Sequence, residues 1–225
     1  MHRVKLKDRV LPSYSRGEEI FNMVSHIVGG GLGVVALVLC VVFGALNRDF
    51  YGVLSGIIFG ISLILLYTMS SIYHGLNSSL MAKRVFQVFD HCTIFILIAG
   101  TYTPFCLCTL YGYDKYTGLF MFIVIWVLCL IGVVLNAIDL KRYKVFSLIC
   151  YLGMGWLIIF KSSILVKLLG GVGFSLLLIG GICYTIGAIF YVMGRNNKWL
   201  HSIFHIFCVI CSLLHFLCIL LYVII

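Results

Sequence analysis

Charge is scarce in this chain of 225 residues: only 10% of it is Asp, Glu, Lys or Arg, and the acidic side is thinnest, seven residues against 16 basic ones. A soluble domain carries roughly a quarter of its residues as charges, so this shortage, with 63% hydrophobic residues and a mean hydropathy of +1.16, excludes an ordinary water-soluble fold. Long polar stretches are missing as well, which leaves no room for a separate soluble domain. The first apolar segment follows a basic arm, as a signal peptide does. It lacks a small-residue cleavage site and runs for about 25 residues, so it reads as a retained first span. Only two prolines occur, and Pro104 is expected to bend the third helix near its outer end. The ten cysteines lack the setting of a disulfide framework. Cys40, Cys92, Cys129, Cys150, Cys183, Cys208, Cys211 and Cys218 lie inside apolar segments and read as small core residues. Cys208 and Cys211 have CxxC spacing but no second pair to complete a metal site, so packing is the preferred reading. No internal repeat argues for a duplicated transporter. No polar stripe runs the full bilayer depth, as a water-filled channel would need.

What is present is a succession of apolar segments. A hydrocarbon core of roughly 30 Å needs about 20 apolar residues per helix, and charge and turn clusters divide the chain into segments at about 20–46, 51–76, 85–108, 117–136, 145–160, 168–193 and 199–225. The expected fold is all-α: a basic arm over about residues 1–19, then one seven-transmembrane bundle over about 20–225. Connections such as NRDF, NSSLMAKR and GRNN are short, so neighbouring helices run antiparallel. Gly29, Gly30, Gly31 and Gly33 in the first segment, and Gly170, Gly171, Gly173, Gly180 and Gly181 around the sixth, suit close helix approach. The net charge of +9 belongs to topology and not to nucleic-acid binding. Arg3, Lys5, Lys7, Arg9 and Arg16 in the arm, with Lys83, Arg84, Lys141, Arg142, Lys144, Arg195 and Lys198 in alternate loops, outweigh Arg48, Lys115, Lys161 and Lys167 on the other side. This bias places the amino terminus in the cytoplasm and the carboxyl terminus outside.

Polar and ionisable residues inside such segments are costly and mark functional candidates: Glu19, Asn22, His26, Ser70, His74, Asp90, His201 and His205. With the amino terminus inside, His74 lies about one turn from the end of the second helix, Asp90 about two turns into the third, and His201 and His205 within about two turns of the start of the seventh. All fall in one slab near the inner leaflet. Residues four apart share a helix face, so His201 and His205 can offer two nitrogens to one ion, Ser70 lies beneath His74, and Glu18, Asn22 and His26 form a stripe. Three neutral imidazoles from His74, His201 and His205 would fill three positions of a tetrahedral zinc and leave the fourth open. Asp90 is placed beside them to accept a proton or orient an imidazole. Plainer readings stand alongside. Ser70 can bond its own helix backbone, and Glu19 can simply favour a helix amino terminus. His91 points about 100° away from Asp90, His215 lies about 15 Å deeper than His205, and Asn136 with Asp139 reads as a solvated helix cap.

The runs EEIFNMVSHIVGG, SSIYHG, FDHCTIFILIAGTYTPF and HSIFHIFCVICSLLHF, in this order, resemble the hemolysin III branch of the progestin and adipoQ receptor family, and the likeness extends from Glu18 to about Phe216. The resemblance implies a seven-helix membrane fold with zinc on His74, His201 and His205, and Asp90 near the ion. It sets Ser70 one turn before the second-helix ligand and matches Glu19, Asn22 and His26 to the pattern that opens helix one. It also implies association with ceramide hydrolysis, a cytolysin label and a role in membrane-lipid homeostasis.

The function expected first is therefore a zinc-dependent hydrolase of lipid amides or esters in the cell membrane, with membrane lipids as partners, a lipid-like substrate and no nucleic acid. A receptor-like or homeostasis protein with a purely structural zinc is the alternative, and a pore-forming cytolysin ranks last.

Overall fold

Apolar helix formers dominate every segment, and the computed structural model, which describes residues 6–194 and 197–225, is correspondingly helical, with no strand among those residues. Arg3, Lys5 and Arg195, three of the charges behind the orientation argument, lie outside the described residues. After a short turn at Leu6–Asp8 come α1 (Arg16–Asn47), α2 (Phe50–Gly75), α3 (Met81–Pro104), α4 (Lys115–Asp139), α5 (Lys144–Trp156), α6 (Ser162–Met193) and α7 (Leu200–Ile219). The starts are written locally. Ser15 and Glu18 form a reciprocal capping box on α1, Asp49 accepts from Tyr51 N at the head of α2, and Asp114 accepts from Tyr116 N and Thr117 N at the head of α4.

Six helical stretches are long and apolar enough to cross a bilayer: Arg16–Asn47, Phe50–Gly75, Met81–Tyr113, Lys115–Asp139, Lys144–Met193 and Leu200–Ile224. The chain is a multi-pass integral membrane protein. The spans expected at about 145–160 and 168–193 run on as one stretch of 50 residues. In it a 3-10 turn at Leu157–Lys161 joins α5 to α6, and Gly170 leaves helical geometry at φ 68, ψ 174. The reason is local: between Leu157 and Leu169 the chain has neither Gly nor Pro to stop a helix, whereas Gly170 lacks the Cβ that opposes positive φ. Pro104 acts where expected, though in a different form. Beyond it α3 widens into a π-helical turn over Phe105–Leu110 before ending at Tyr113, which accommodates the missing proline donor without stopping the helix.

Helices α1 and α2 pack through glycine. A Cβ added at Gly56 would lie 2.8 Å from the Cys40 carbonyl carbon, and one at Gly60 would lie 2.5 Å from Leu37 Cα, so backbone meets backbone along this seam. Gly33 and Gly29 contribute from α1, as the sequence suggested, while Gly31 faces open space. The seam of Gly52, Gly56 and Gly60 in α2 escaped the sequence reading. Two polar ties then bring α7 to the first two helices. The Tyr67 hydroxyl, fully buried, meets Ser212 Oγ at 2.7 Å and the Cys208 carbonyl at 3.0 Å. Trp199, just before α7, adopts a left-handed φ of 66° and donates its N–H to Glu18 Oε1 at 2.7 Å. That ion-strength bond offsets the unfavourable backbone and sets the start of α7 against the start of α1.

Asn136 and Asp139 are not a solvated cap. Both are buried; Asn136 donates to the Tyr151 hydroxyl at 3.1 Å and accepts from Ser147 at 2.6 Å, while Asp139 accepts from Lys141 N at 3.1 Å and Arg142 N at 3.2 Å. The turn after α4 is so short that α5 folds back over the helix end and excludes water. All ten cysteines are free thiols, and Cys208 and Cys211 are buried packing residues.

Candidate metal centre

His74 sits in the last turn of α2, and His201 and His205 stack one turn apart at the start of α7. All three are buried, and one ligand atom from each falls within a group whose members lie within 4.8 Å of one another. His201 Nε2 and His205 Nε2 face each other at 3.1 Å. Nitrogens on a tetrahedral zinc stand about 3.3 Å apart, so the pair is already spaced for one ion.

His74 carries the clearest sign of how it is used. Its Nδ1 lies 2.6 Å from Glu19 Oε2. A carboxylate only accepts, so Nδ1 bears the proton and Nε2 is left with its lone pair. That Nε2 is buried with no hydrogen-bond partner. A buried, unpartnered lone pair beside two more imidazoles is costly in a protein interior and is what a metal satisfies. The donor set of three imidazole nitrogens suits zinc or another borderline divalent ion.

Glu19 therefore does more than favour a helix end. Its second oxygen, Oε1, accepts from the ammonium of Lys83 at 2.7 Å. Sequence reasoning took Lys83 only as a topology marker. The signal that could have found it is its spacing: Lys83, Gln87 and Asp90 fall at i, i+4 and i+7 on one face of α3.

The remaining candidates divide. Asn22 and His26 are buried on α1, and the His26 ring stacks on His205 with centroids 3.9 Å apart, but neither joins the ligand group among the described residues. Both nitrogens of His26 and both side-chain polar atoms of Asn22 lack hydrogen-bond partners. Ser70 and Asp90 line a cavity of about 640 Å³ that His26, His201 and His205 also border. Along α3 this cavity runs from Gln87 to Phe105, roughly 27 Å at helical rise. Leu97, Phe105, Ile158, Phe174 and Leu177 make much of its wall apolar. His91 lies off the ligand group: its Nδ1 meets the Gln87 carbonyl at 2.9 Å and its Nε2 the Tyr191 hydroxyl at 3.3 Å. His215 is satisfied by the Leu177 carbonyl at 3.2 Å, deep along the cavity. Residues Asp8 to Tyr14 line the cavity too, a contribution absent from the sequence reading.

Comparison with known proteins assigns the family. The profile of the family described as Haemolysin-III related matches residues 14–216. The chain is 38% identical over 205 residues to the hemolysin-3 homolog of Bacillus subtilis (strain 168), covering 91% of this chain and 94% of that one. It is 37% identical over 206 residues to hemolysin-3 of Bacillus cereus, covering 92% of each. A more distant likeness, 25% over 221 residues, covers 96% of this chain and 87% of the human monocyte to macrophage differentiation factor. The match runs through α1, α2 and α7, the helices that carry Glu19, His74, His201 and His205, and the chain belongs to the Haemolysin-III related family.

Proposed function

We propose that this chain is a zinc-dependent membrane hydrolase of lipid amides or esters, acting in membrane-lipid homeostasis. The observation that carries the reading is the convergence of three buried imidazoles, two of which, His201 and His205, border a long, largely apolar cavity. His74, His201 and His205 would hold the ion. When bound, zinc would supply Lewis acidity, polarising a carbonyl and bringing the pKa of water toward roughly 7.

The chain's own residues do the rest. Glu19 keeps the proton on His74 Nδ1 and so keeps Nε2 free as a donor. The apolar wall between Leu97 and Leu177 takes a hydrocarbon chain and excludes water. Asp90 borders the same cavity, and its carboxylate would take a proton from the attacking water and return it to the departing amine or alcohol. Ser70, one turn before His74, offers a hydroxyl to the substrate's polar group. A zinc that only ties helices together would be better supported by a fourth protein ligand, and the ligand group contains three residues among those described. A cytolytic reading rests on the name of the Bacillus relatives.

The test is metal analysis of purified protein beside His201→Ala, then product detection on ceramide-like and phospholipid substrates, with liposome leakage measured in parallel. The reading expects about one zinc per wild-type chain, none held by the variant, and lipid cleavage that requires both zinc and Asp90. Zinc without cleavage favours the structural role, and leakage without cleavage favours the cytolysin.

The orientation belongs to the same proposal: seven crossings with the amino terminus in the cytoplasm. It is supported by the basic residues of the alternate loops and by the 3-10 turn at Leu157–Lys161 and the break at Gly170, which interrupt the stretch Lys144–Met193 on either side of Lys167. Reporter fusions after Lys161 and Ile225 should both report the outside.

A further inference from the structure

Lys83 is a lysine that does not reach for water. Its residue is 2% exposed although it stands near the start of α3, where a lysine stem would ordinarily extend to the lipid headgroups. An isolated buried ammonium is strongly unfavourable, so its partners decide what it is for. It has three protons and three acceptors: Glu19 Oε1 at 2.7 Å, the Leu76 carbonyl at 2.9 Å and the His74 carbonyl at 3.5 Å. The two carbonyls belong to the carboxyl-terminal end of α2, whose last carbonyl groups have no helical partner and carry partial negative charge. Lys83 thus holds residue 74 twice, once at its backbone and once at its ring, through the carboxylate that receives His74 Nδ1.

We propose that Lys83 is a positioning residue of the metal centre: its ammonium fixes Glu19 so that one carboxylate oxygen is held on His74 Nδ1, and thereby locks the tautomer and aim of His74. The inference rests on reading His74, His201 and His205 as a metal site. Two effects oppose each other here. A cation close to a divalent ion repels it, whereas a fixed carboxylate strengthens the imidazole as a donor. Glu19 lies between Lys83 and His74 and screens the repulsion, so orientation prevails and removal of the ammonium weakens metal binding. A lysine serving only as a cytoplasmic anchor would leave metal binding unchanged.

The test uses full-length protein in detergent with Co²⁺ as a spectroscopic probe and Zn²⁺ in chelator competition. Lys83→Met keeps volume and removes the charge, and Glu19→Gln removes the acceptor charge. Glu19→Gln should weaken zinc binding about 10- to 100-fold, and Lys83→Met about tenfold with an altered cobalt absorption envelope. Because Lys83 acts through Glu19, the double variant should bind no more weakly than Glu19→Gln alone. This comparison also decides the matter if Lys83→Met alone fails to fold, since the double variant removes both charges of the pair together. Unchanged affinity and spectrum in Lys83→Met, tighter binding, or a full additive loss in the double variant would overturn the inference while wild type still binds zinc through His201. A wild-type protein that binds no divalent metal would instead overturn the metal reading itself, and this inference with it.

Discussion

The ring of Tyr14 lies flat against that of His201, centroids 4.8 Å apart and planes at 17°, so the segment before α1 covers one side of the imidazole cluster. Burial pushes the Tyr14 hydroxyl above its ordinary range, and it stays a neutral phenol at any physiological pH. Aromatic stacking of this kind contributes about 0.5–1.5 kcal/mol, enough to slow release of a bound ion without setting its affinity. Tyr14→Ala should therefore speed zinc loss to an excess of chelator by roughly threefold to tenfold, with zinc content at equilibrium unchanged. Stopped-flow chelation of wild type and variant reads both quantities.

An ion held between α2 and α7 binds the folded state and not the unfolded one, so it stabilises by mass action. With free zinc about 100-fold above the dissociation constant, the gain is about 2.7 kcal/mol. Chelation should lower the thermal midpoint of the wild type and leave that of His205→Ala where it was. Equal shifts in both proteins would place the stabilising ion elsewhere.

The glycine seam makes a sharper mechanical prediction. At Gly60 a methyl group would meet Leu37 Cα at 2.5 Å, and backbone cannot rotate out of the way as a side chain could. Gly60→Ala should destabilise by about 1–3 kcal/mol through overpacking, whereas Gly31→Ala, in open space, should not. Denaturation in mixed micelles compares the two.

Asp114 offers a pH test away from the bilayer core. The Thr117 side chain and N–H hydrogen-bond its carboxyl and hold it below the usual carboxylate range. A carboxyl whose folded pKa is depressed stabilises above its unfolded pKa and loses that contribution as pH falls through the folded value. Asp114→Asn should accordingly lower the thermal midpoint at pH 7, and the difference from wild type should shrink below about pH 4. A gap that stays constant with pH would assign the effect to packing.

The imidazoles of the candidate site were legible from the sequence because an ionisable group in an apolar run stands out and four-residue spacing assigns a face. That reasoning found His74, His201 and His205 and set Asp90 and Ser70 beside them. It assigned Glu19 a place without a partner. Asn136 and Asp139 looked solvated because loop length says little about whether the next helix folds back over the helix end. The junction of α5 with α6 was less legible for a related reason: hydropathy registers where apolar residues lie, while the change there is one of backbone geometry, a 3-10 turn at Leu157–Lys161 and a positive φ at Gly170.

Helix periodicity, hydropathy and cap residues are local properties, and they alone determined that this chain is an all-helical membrane protein with histidines near the ends of its second and last long helices. The union of α1, α2 and α3 at one partly buried carboxylate was decided only in three dimensions. Glu19 stands 55 residues before His74 and 64 before Lys83, and their hydrogen bonds exist because close packing of glycine-bearing helices brings the helix ends together.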